Sequence, residues 1–324
     1  MTEAINEDRA RGLMLGLLVG DAVGEIQKPK HEWYLYGTAL GQLACFTVEG
    51  LIRGFVKQQK YEAMEPPFGT VWTALNRWAA IQGYATTPGF GPELAETGWL
   101  RQLAPLRAKR GTAPATVKAL VAGGGTTESP VGSSAGHHAL NRVAPLALAS
   151  SFAEHHEAGA RELAAQTHGH SASWDAAAAG VLLLRGALES GSVSEAIARG
   201  TARAVRVDVI KLLEGEDSGA AAGTASYCLV RAMRTAQGGG TLREVVTRAS
   251  EYGVGCATFA GALHGALHGV AGIEYTDFER LELAWVADTL VKDLLREERE
   301  HPGPGWLGTV SAIDPVWITK YPAS

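Results

Sequence analysis

Residues 252–269 run Y-G-V-G-C-A-T-F-A-G-A-L-H-G-A-L-H-G without one charged side chain, and they read as a buried helix. Gly261, Gly265 and Gly269 recur every four residues, which places them on one helical face. Each glycine inside a helix costs about 0.5–1 kcal/mol relative to alanine, so three in register need a compensating gain. Close approach of a second backbone supplies one. The chain offers the partner at 12–24, G-L-M-L-G-L-L-V-G-D-A-V-G, where Gly12, Gly16, Gly20 and Gly24 make a second ladder of the same period. The two stretches are expected to cross ladder against ladder, so that the loops at their ends share one cleft. The first run is about half of the ~20 apolar residues that span a bilayer, and Asp21 interrupts it, so it is not read as a membrane segment.

The 324 residues are 46% hydrophobic, enough for a large core. A net charge of −5 gives no general basic surface for nucleic acid. Cys45, Cys228 and Cys256 are few, odd in number and far apart, which argues against a disulfide framework or a structural zinc site. The acidic, polar start M-T-E-A-I-N-E-D-R-A does not read as a signal peptide. A cytoplasmic protein with neither nucleic-acid nor membrane partners is the expectation.

Alanine and leucine dominate and β-branched alternation is scarce, which predicts a mostly helical chain. Helices are expected at 7–24, 42–58, 70–82, 93–108, 114–122, 138–150, 153–167, 171–190, 194–214, 219–236, 241–251, 257–270 and 278–299. Residues 25–41 read as loop, with an aromatic cluster of Trp33, Tyr34 and Tyr36. With no tandem repeat and no linker, residues 1–324 read as one domain with an irregular C-terminal arm at 301–324. The glycine-rich stretch 123–136 feeds the start of the apolar segment 138–150. Free N–H groups and partial positive charge at that helix start suit a phosphate.

Several of these stretches, in order and across nearly the whole chain, resemble the ADP-ribosylglycohydrolase family. R-G-L-M-L-G-L-L-V-G-D-A-V-G at 11–24 resembles its first helix and G-D-A-L-G loop. Gly41-Gln42 resembles the G-Q before its T-D-D-T motif. S-A-G-H-H-A-L-N-R-V-A-P-L-A-L at 134–148 resembles S-x-G-N-G-x-x-M-R-x-A-P-L-x-L, Q-T-H-G-H at 166–170 resembles T-H-x-H, and A-G-A-L-H-G-A-L-H-G at 260–269 resembles its glycine-rich late helix. The resemblance implies a single all-α domain and a substrate that is a small molecule or an ADP-ribosylated group. It also implies two magnesium ions, held by T-D-D-T and by a later G-G-D-x-D-T loop.

Here the chain departs from the family. Ala44, Cys45 and Phe46 stand where Thr, Asp and Asp are expected, and only Thr47 remains. The later aspartates fall on Tyr252 and Val254, and the threonine on Gly255. Magnesium takes hard oxygen ligands, so no metal cofactor is expected. The phosphate side is better kept. Ser134, Gly136, His137 and His138 match the diphosphate loop, with His137 and His138 in place of asparagine and glycine. Thr167 and His168 match the adenosine-side motif, and Phe46 and Tyr252 join the substrate-binding candidates. Arg142 reads as structural.

Two carboxyl groups suffice in principle for glycoside cleavage, and Asp21, Glu25 and Glu49 are the catalytic candidates. For Asp21 the competing reading is a cap or brace of the cleft wall; for the histidines it is ordinary loop solvation. His264 and His268, one turn apart, have a metal-like spacing but show no third ligand, and they read as core or boundary residues. Cys45 and Cys256 read as buried, inert thiols. The expected function is a metal-independent hydrolase of a ribosyl glycosidic bond. The alternative is an inactive relative that binds an ADP-ribose-like ligand or a protein partner.

Overall fold

The computed structural model describes residues 5–25, 34–61, 66–217, 219–300 and 314–323; Trp33 and most of the expected C-terminal arm lie outside them. Seventeen α-helices and four short 3-10 turns occupy these residues, and no strand is found among them. The helices are α1 (Glu7–Glu25), α2 (Ala39–Tyr61), α3 (Phe68–Ile81), α4 (Pro92–Ala95), α5 (Ala104–Arg107), α6 (Pro114–Val121), α7 (His138–Val143), α8 (His156–Ala165) and α9 (Ser171–Leu188). They continue with α10 (Val193–Arg203), α11 (Val207–Leu213), α12 (Ala225–Gln237), α13 (Leu242–Ser250), α14 (Val254–His268), α15 (Tyr275–Arg280), α16 (Ala284–Glu300) and α17 (Pro315–Lys320). The result is one all-α domain around a single core.

At its centre α1 crosses α14, ladder on ladder. A β-carbon on Gly12, Gly16 or Gly20 would come closer than 3.0 Å to the carbonyl oxygens of Gly265, Gly261 and Ala257 in turn. The overlap is reciprocal, because a β-carbon on Gly261 or Gly265 would meet the carbonyls of Gly16 and Gly12. Gly24 continues the contact against Val254 and Ala257. The C-terminal end of α1 therefore lies beside the first turn of α14, as a shared cleft requires. Residues Gly12–Ala22 are all buried, so side chains on the other faces of α1 anchor α2, α13 and α16 around it.

Helix α2 is long and apolar enough over Ala39–Gln58 to cross a bilayer by length and composition, but it is buried inside the fold up to Val56. It packs on α3 through a charge cluster, with Glu49 between Arg53 and Arg77.

Several expected elements differ from the structure: the helix expected at 278–299 is split into α15 and α16, and the one expected at 219–236 begins at Ala225. The helix expected at 93–108 is broken into α4, a 3-10 turn at Leu100–Gln102 and α5; Gly98 sits at φ +81°, and Pro105 in the first turn of α5 starts a new element. The helix expected at 138–150 stops at Val143 and continues as a 3-10 turn, Ala144–Leu148, because Pro145 cannot donate to the ladder. The segment 194–214 is two helices separated at 204–206. Within the expected irregular arm, 315–320 is the short helix α17, whose Trp317 indole donates to Glu297 on α16 at 2.7 Å.

One substitution at two places gives opposite results. Gly16→Ala pushes a methyl group into a carbonyl and is expected to lower unfolding free energy by about 3 kcal/mol, the upper range for overpacking. Gly69→Ala, in the first turn of α3 with open space where its β-carbon would sit, is expected to raise it by about 0.5 kcal/mol. Urea denaturation of both variants checks the pair.

Candidate active site

The turn from α1 into α2 is built on one enclosed carboxylate. Asp21 Oδ1 accepts from the Thr38 hydroxyl at 2.6 Å, and Oδ2 accepts from the backbone N–H groups of Thr38 at 2.6 Å and Gly41 at 3.0 Å. Gly37 and Gly41 lack side chains where a β-carbon would come within 3.0 Å of Oδ2. Asp21 thus places its anion at the start of α2, where the helix dipole favours it. Burial nonetheless pushes its pKa up to about 6, against the pull of the three hydrogen bonds, and Glu25 adds a small rise.

The other two carboxylates go elsewhere. Glu49 is fully buried, 2.5 Å from Arg53 Nε and 2.5 Å from Arg77 Nη2. It lies eight residues beyond Gly41, about 12 Å of helix rise from the point where Asp21 meets α2. Its place is that of a brace between α2 and α3, away from Asp21. Glu25, the last residue of α1, is exposed.

The stretch matched to T-D-D-T offers no oxygen pair. Ala44, Cys45, Phe46 and Thr47 are buried in α2, and the Thr47 hydroxyl is spent on the Leu43 carbonyl at 3.0 Å. Burial, then the Asp21 carboxylate, pushes the Cys45 thiol up to about 12. Phe46, expected among the substrate-binding residues, is 1% exposed and packs into the core. At the start of α14 the matching positions supply the ring of Tyr252, in the turn before the helix, then Val254 and Gly255. Among the described residues no three His, Cys, Asp or Glu side chains converge as a metal site. This donor set does not fit a magnesium pair.

The polar groups gather instead around the 134–138 loop. The Ser134 hydroxyl accepts from Gly136 N–H at 3.3 Å, the N–H of His137 donates to Gly223 O at 3.2 Å, and Gly136 bridges Thr224. These amides, expected to be open to a phosphate, are taken: that of Gly136 closes on Ser134 within the loop and that of His137 ties the loop to Gly223 just before α12, and α7 beyond them has only six residues. Side chains are what the loop presents. The His137 ring covers Gly255, where a β-carbon would collide with it. The His138 ring lies 5.1 Å from that of His137. Asn141 donates from Nδ2 to the carbonyls of His137 and Gly255, each at 3.1 Å.

Beneath them runs a directed chain. Arg142 Nη2 donates to Leu163 O at 2.6 Å and to Thr167 Oγ1 at 2.7 Å. The Thr167 hydroxyl lies 2.9 Å from His168 Nδ1. Arginine only donates, so the hydroxyl accepts from it and turns its own proton to Nδ1. His168 then carries its proton on Nε2, 3.7 Å from where a β-carbon of Gly136 would sit. The Trp174 indole holds the His168 carbonyl. Burial lowers the pKa of His137, of His138 to about 3, of Arg142 to about 9, and of His168 strongly; Arg142 and the other two rings add to the His168 shift. All three imidazoles are neutral at pH 7. Among the described residues, His137 Nδ1, His138 Nδ1, Asn141 Oδ1 and Arg142 Nε and Nη1 are buried without a hydrogen-bond partner. So many unsatisfied polar atoms in one place are expensive unless a ligand or water meets them.

Tyr252 is 43% exposed at the rim. It packs edge-on to Tyr227 at 6.4 Å, with the Arg231 guanidinium 4.9 Å above Tyr227 and 5.7 Å from Tyr252. His170 stays outside the cluster, where its Nδ1 accepts from Ala172 N–H and caps α9. Cys256 lies 3.0 Å from Cys228, sulfur to sulfur, in the buried seam of α12 and α14. Asn141, Thr224, Tyr227 and Arg231 were not singled out in the sequence. Asn141, one turn after His137, was the one its spacing could have shown.

The family model described as ADP-ribosylglycohydrolase matches residues 2–304. A solved structure titled "ADP-ribosylglycohydrolase-related protein complex" is similar at 22% identity and a TM-score of 0.60, over 90% of this chain and 98% of that one; at that identity the likeness speaks for the fold. A search of curated proteins gave no match.

Two measurements test the carboxylate assignments. Glu49→Gln leaves two buried guanidinium groups uncompensated and is expected to cost about 3–5 kcal/mol of stability. For Asp21 the folded pKa of about 6 exceeds the ordinary 3.8. Its protonation therefore favours the fold fully below pH 3.8, and the benefit is lost as pH rises through 6. Asp21→Asn is expected to remove about 3 kcal/mol of stability change from that window, read as the difference between the two pH–stability curves.

Proposed function

The chain belongs to the ADP-ribosylglycohydrolase family, a family of glycosidase-type hydrolases, and from that premise we propose that it hydrolyses a ribosyl glycosidic bond in an ADP-ribosyl or related nucleotide-derived substrate without the two magnesium ions. The observation that best supports this reading is the set of unpartnered buried atoms on His137, His138, Asn141 and Arg142. They lie behind the loop matched to the family's diphosphate grip, and the nitrogens among them suit phosphate oxygens. Ser134 and Gly136 shape that loop, and Thr167 orients His168 beneath it.

Cleavage needs a carboxylate near the sugar carbon and a group to handle the water proton. Glu25 is the exposed carboxylate of the three candidates. Gly24 packs on Val254, and His137 covers Gly255, so the first turn of α14 stands between Glu25 and the imidazoles. In this reading the bond from the sugar carbon to the departing group breaks while Glu25 stabilises the oxocarbenium-like carbon; neutral His137 takes the proton of the attacking water, and the imidazolium so formed gives it to the departing group. Asp21 acts by holding the Thr38–Gly41 turn, and Tyr252 offers its ring at the rim.

A second reading has one observation in its favour: Asp21 and Glu49 have both oxygens committed within the protein. A protein that binds ADP-ribose without cleaving a bond would look this way. Incubation with ADP-ribosyl-arginine, ADP-ribosyl-serine and NAD, in EDTA and in magnesium, separates the two. The expected result is turnover resistant to EDTA that falls about a hundredfold or more in Glu25→Gln. Binding of ADP-ribose with no turnover establishes the second reading, and turnover only with magnesium refutes metal independence.

A further inference from the structure

At the opposite end of α14 from the candidate active site, His264 and His268 stand one turn apart with ring centroids 4.4 Å from each other. Both line a cavity of about 430 Å³ that is bounded by Gly191, Gly239 and Gly240. Both also line an adjoining cavity of about 550 Å³, which reaches Glu274. Both cavities reach the exposed His268, which opens the pair to solvent. His264 is buried and fixed by a hydrogen bond to the Gly272 backbone, and His268 is exposed.

We infer that His264 and His268 together chelate a borderline divalent transition-metal ion of the Zn²⁺ or Ni²⁺ class, with water completing its coordination. Three physical features support the assignment. Two imidazoles at i, i+4 reproduce the histidine spacing of helical zinc sites, and imidazole suits borderline ions where a hard ion such as Mg²⁺ asks for oxygen. A backbone carbonyl bound to one ring nitrogen orients a histidine ligand and leaves the other nitrogen free to coordinate. His268 is also the last residue of α14, where the carbonyl end of the helix favours positive charge. Both rings are neutral near pH 7, because burial lowers both pKa values, that of His264 to about 4. Arg9 opposes a cation here through its effect on His268. Its guanidinium is occupied by the carbonyls of Leu188 at 3.3 Å and Ser190 at 2.5 Å.

The ion would bridge the last turn of the helix that carries the central crossing, so its binding favours the folded chain. Full-length protein is titrated with Zn²⁺ alone by calorimetry, and its melting temperature is followed with and without the ion. Wild type is expected to bind one equivalent at this pair and to melt higher. His268→Ala, at an exposed position, is expected to bind that equivalent about tenfold or more weakly, at least the cost of losing an orienting partner, and to lose the melting shift. His264→Gln, which keeps the side-chain bulk, is expected to do the same. No Zn²⁺ binding by wild type overturns the assignment. So does binding that survives His268→Ala, or that disappears in His137→Ala, since either places the ion elsewhere.

Discussion

Backbone-to-backbone contact between α1 and α14 is the constraint on which the rest of this protein depends. Two helices approach this closely only where at least one of the facing residues lacks a β-carbon: glycine meets glycine at the middle of the crossing, and Gly20 and Gly24 meet Ala257. The helical cost of those glycines is offset by the packing gained on every other face of α1, which is buried from Gly12 to Ala22. The contact also sets where chemistry can occur. It delivers the end of α1, with Asp21 and Glu25, to the first turn of α14, and it delivers the far end of α14 to the cavities around His264 and His268.

At the active-site end the chain has redistributed its polarity. Carboxylate positions of the family are apolar on α2, and the carboxylates that persist are either locked in place, as Asp21 and Glu49 are, or left at the surface, as Glu25 is. Around α7, unsatisfied polar atoms belong to imidazole, amide and guanidinium groups. Under the proposed function, a site of this kind would grip anions through neutral donors and one deeply placed cation. A site built on divalent ions would grip the same anions through metal charge.

The glycine ladders were legible because close helix contact imposes a period that no other pressure on the chain produces. The family motifs made the 134–138 loop and Thr167-His168 legible for the same local reason. What escaped was set by tertiary partners. Nothing near Asp21 in the sequence announces that Thr38 and Gly41 will enclose it. The pairing of Glu49 with Arg53 and Arg77 was not read from the sequence, and Arg77 comes from another helix. The amides of Gly136 and His137 read as free donors until Ser134 and Gly223 were seen to take them. Helices were expected to run through Gly98 and Pro145 because alanine-rich composition outweighs single breakers in a periodicity reading, whereas the backbone obeys the breaker.

The ladders have a mechanical consequence. Glycines four residues apart on both helices make the interface a rack with a tooth spacing of about 6 Å. Small sliding of α1 along α14 would drive leucine or alanine side chains into carbonyl groups, so a shift of fractions of a turn is blocked. The two helices behave as a ruler with detents, and the distance between Glu25 and the imidazoles is held by the backbone itself, whatever the loops above it do.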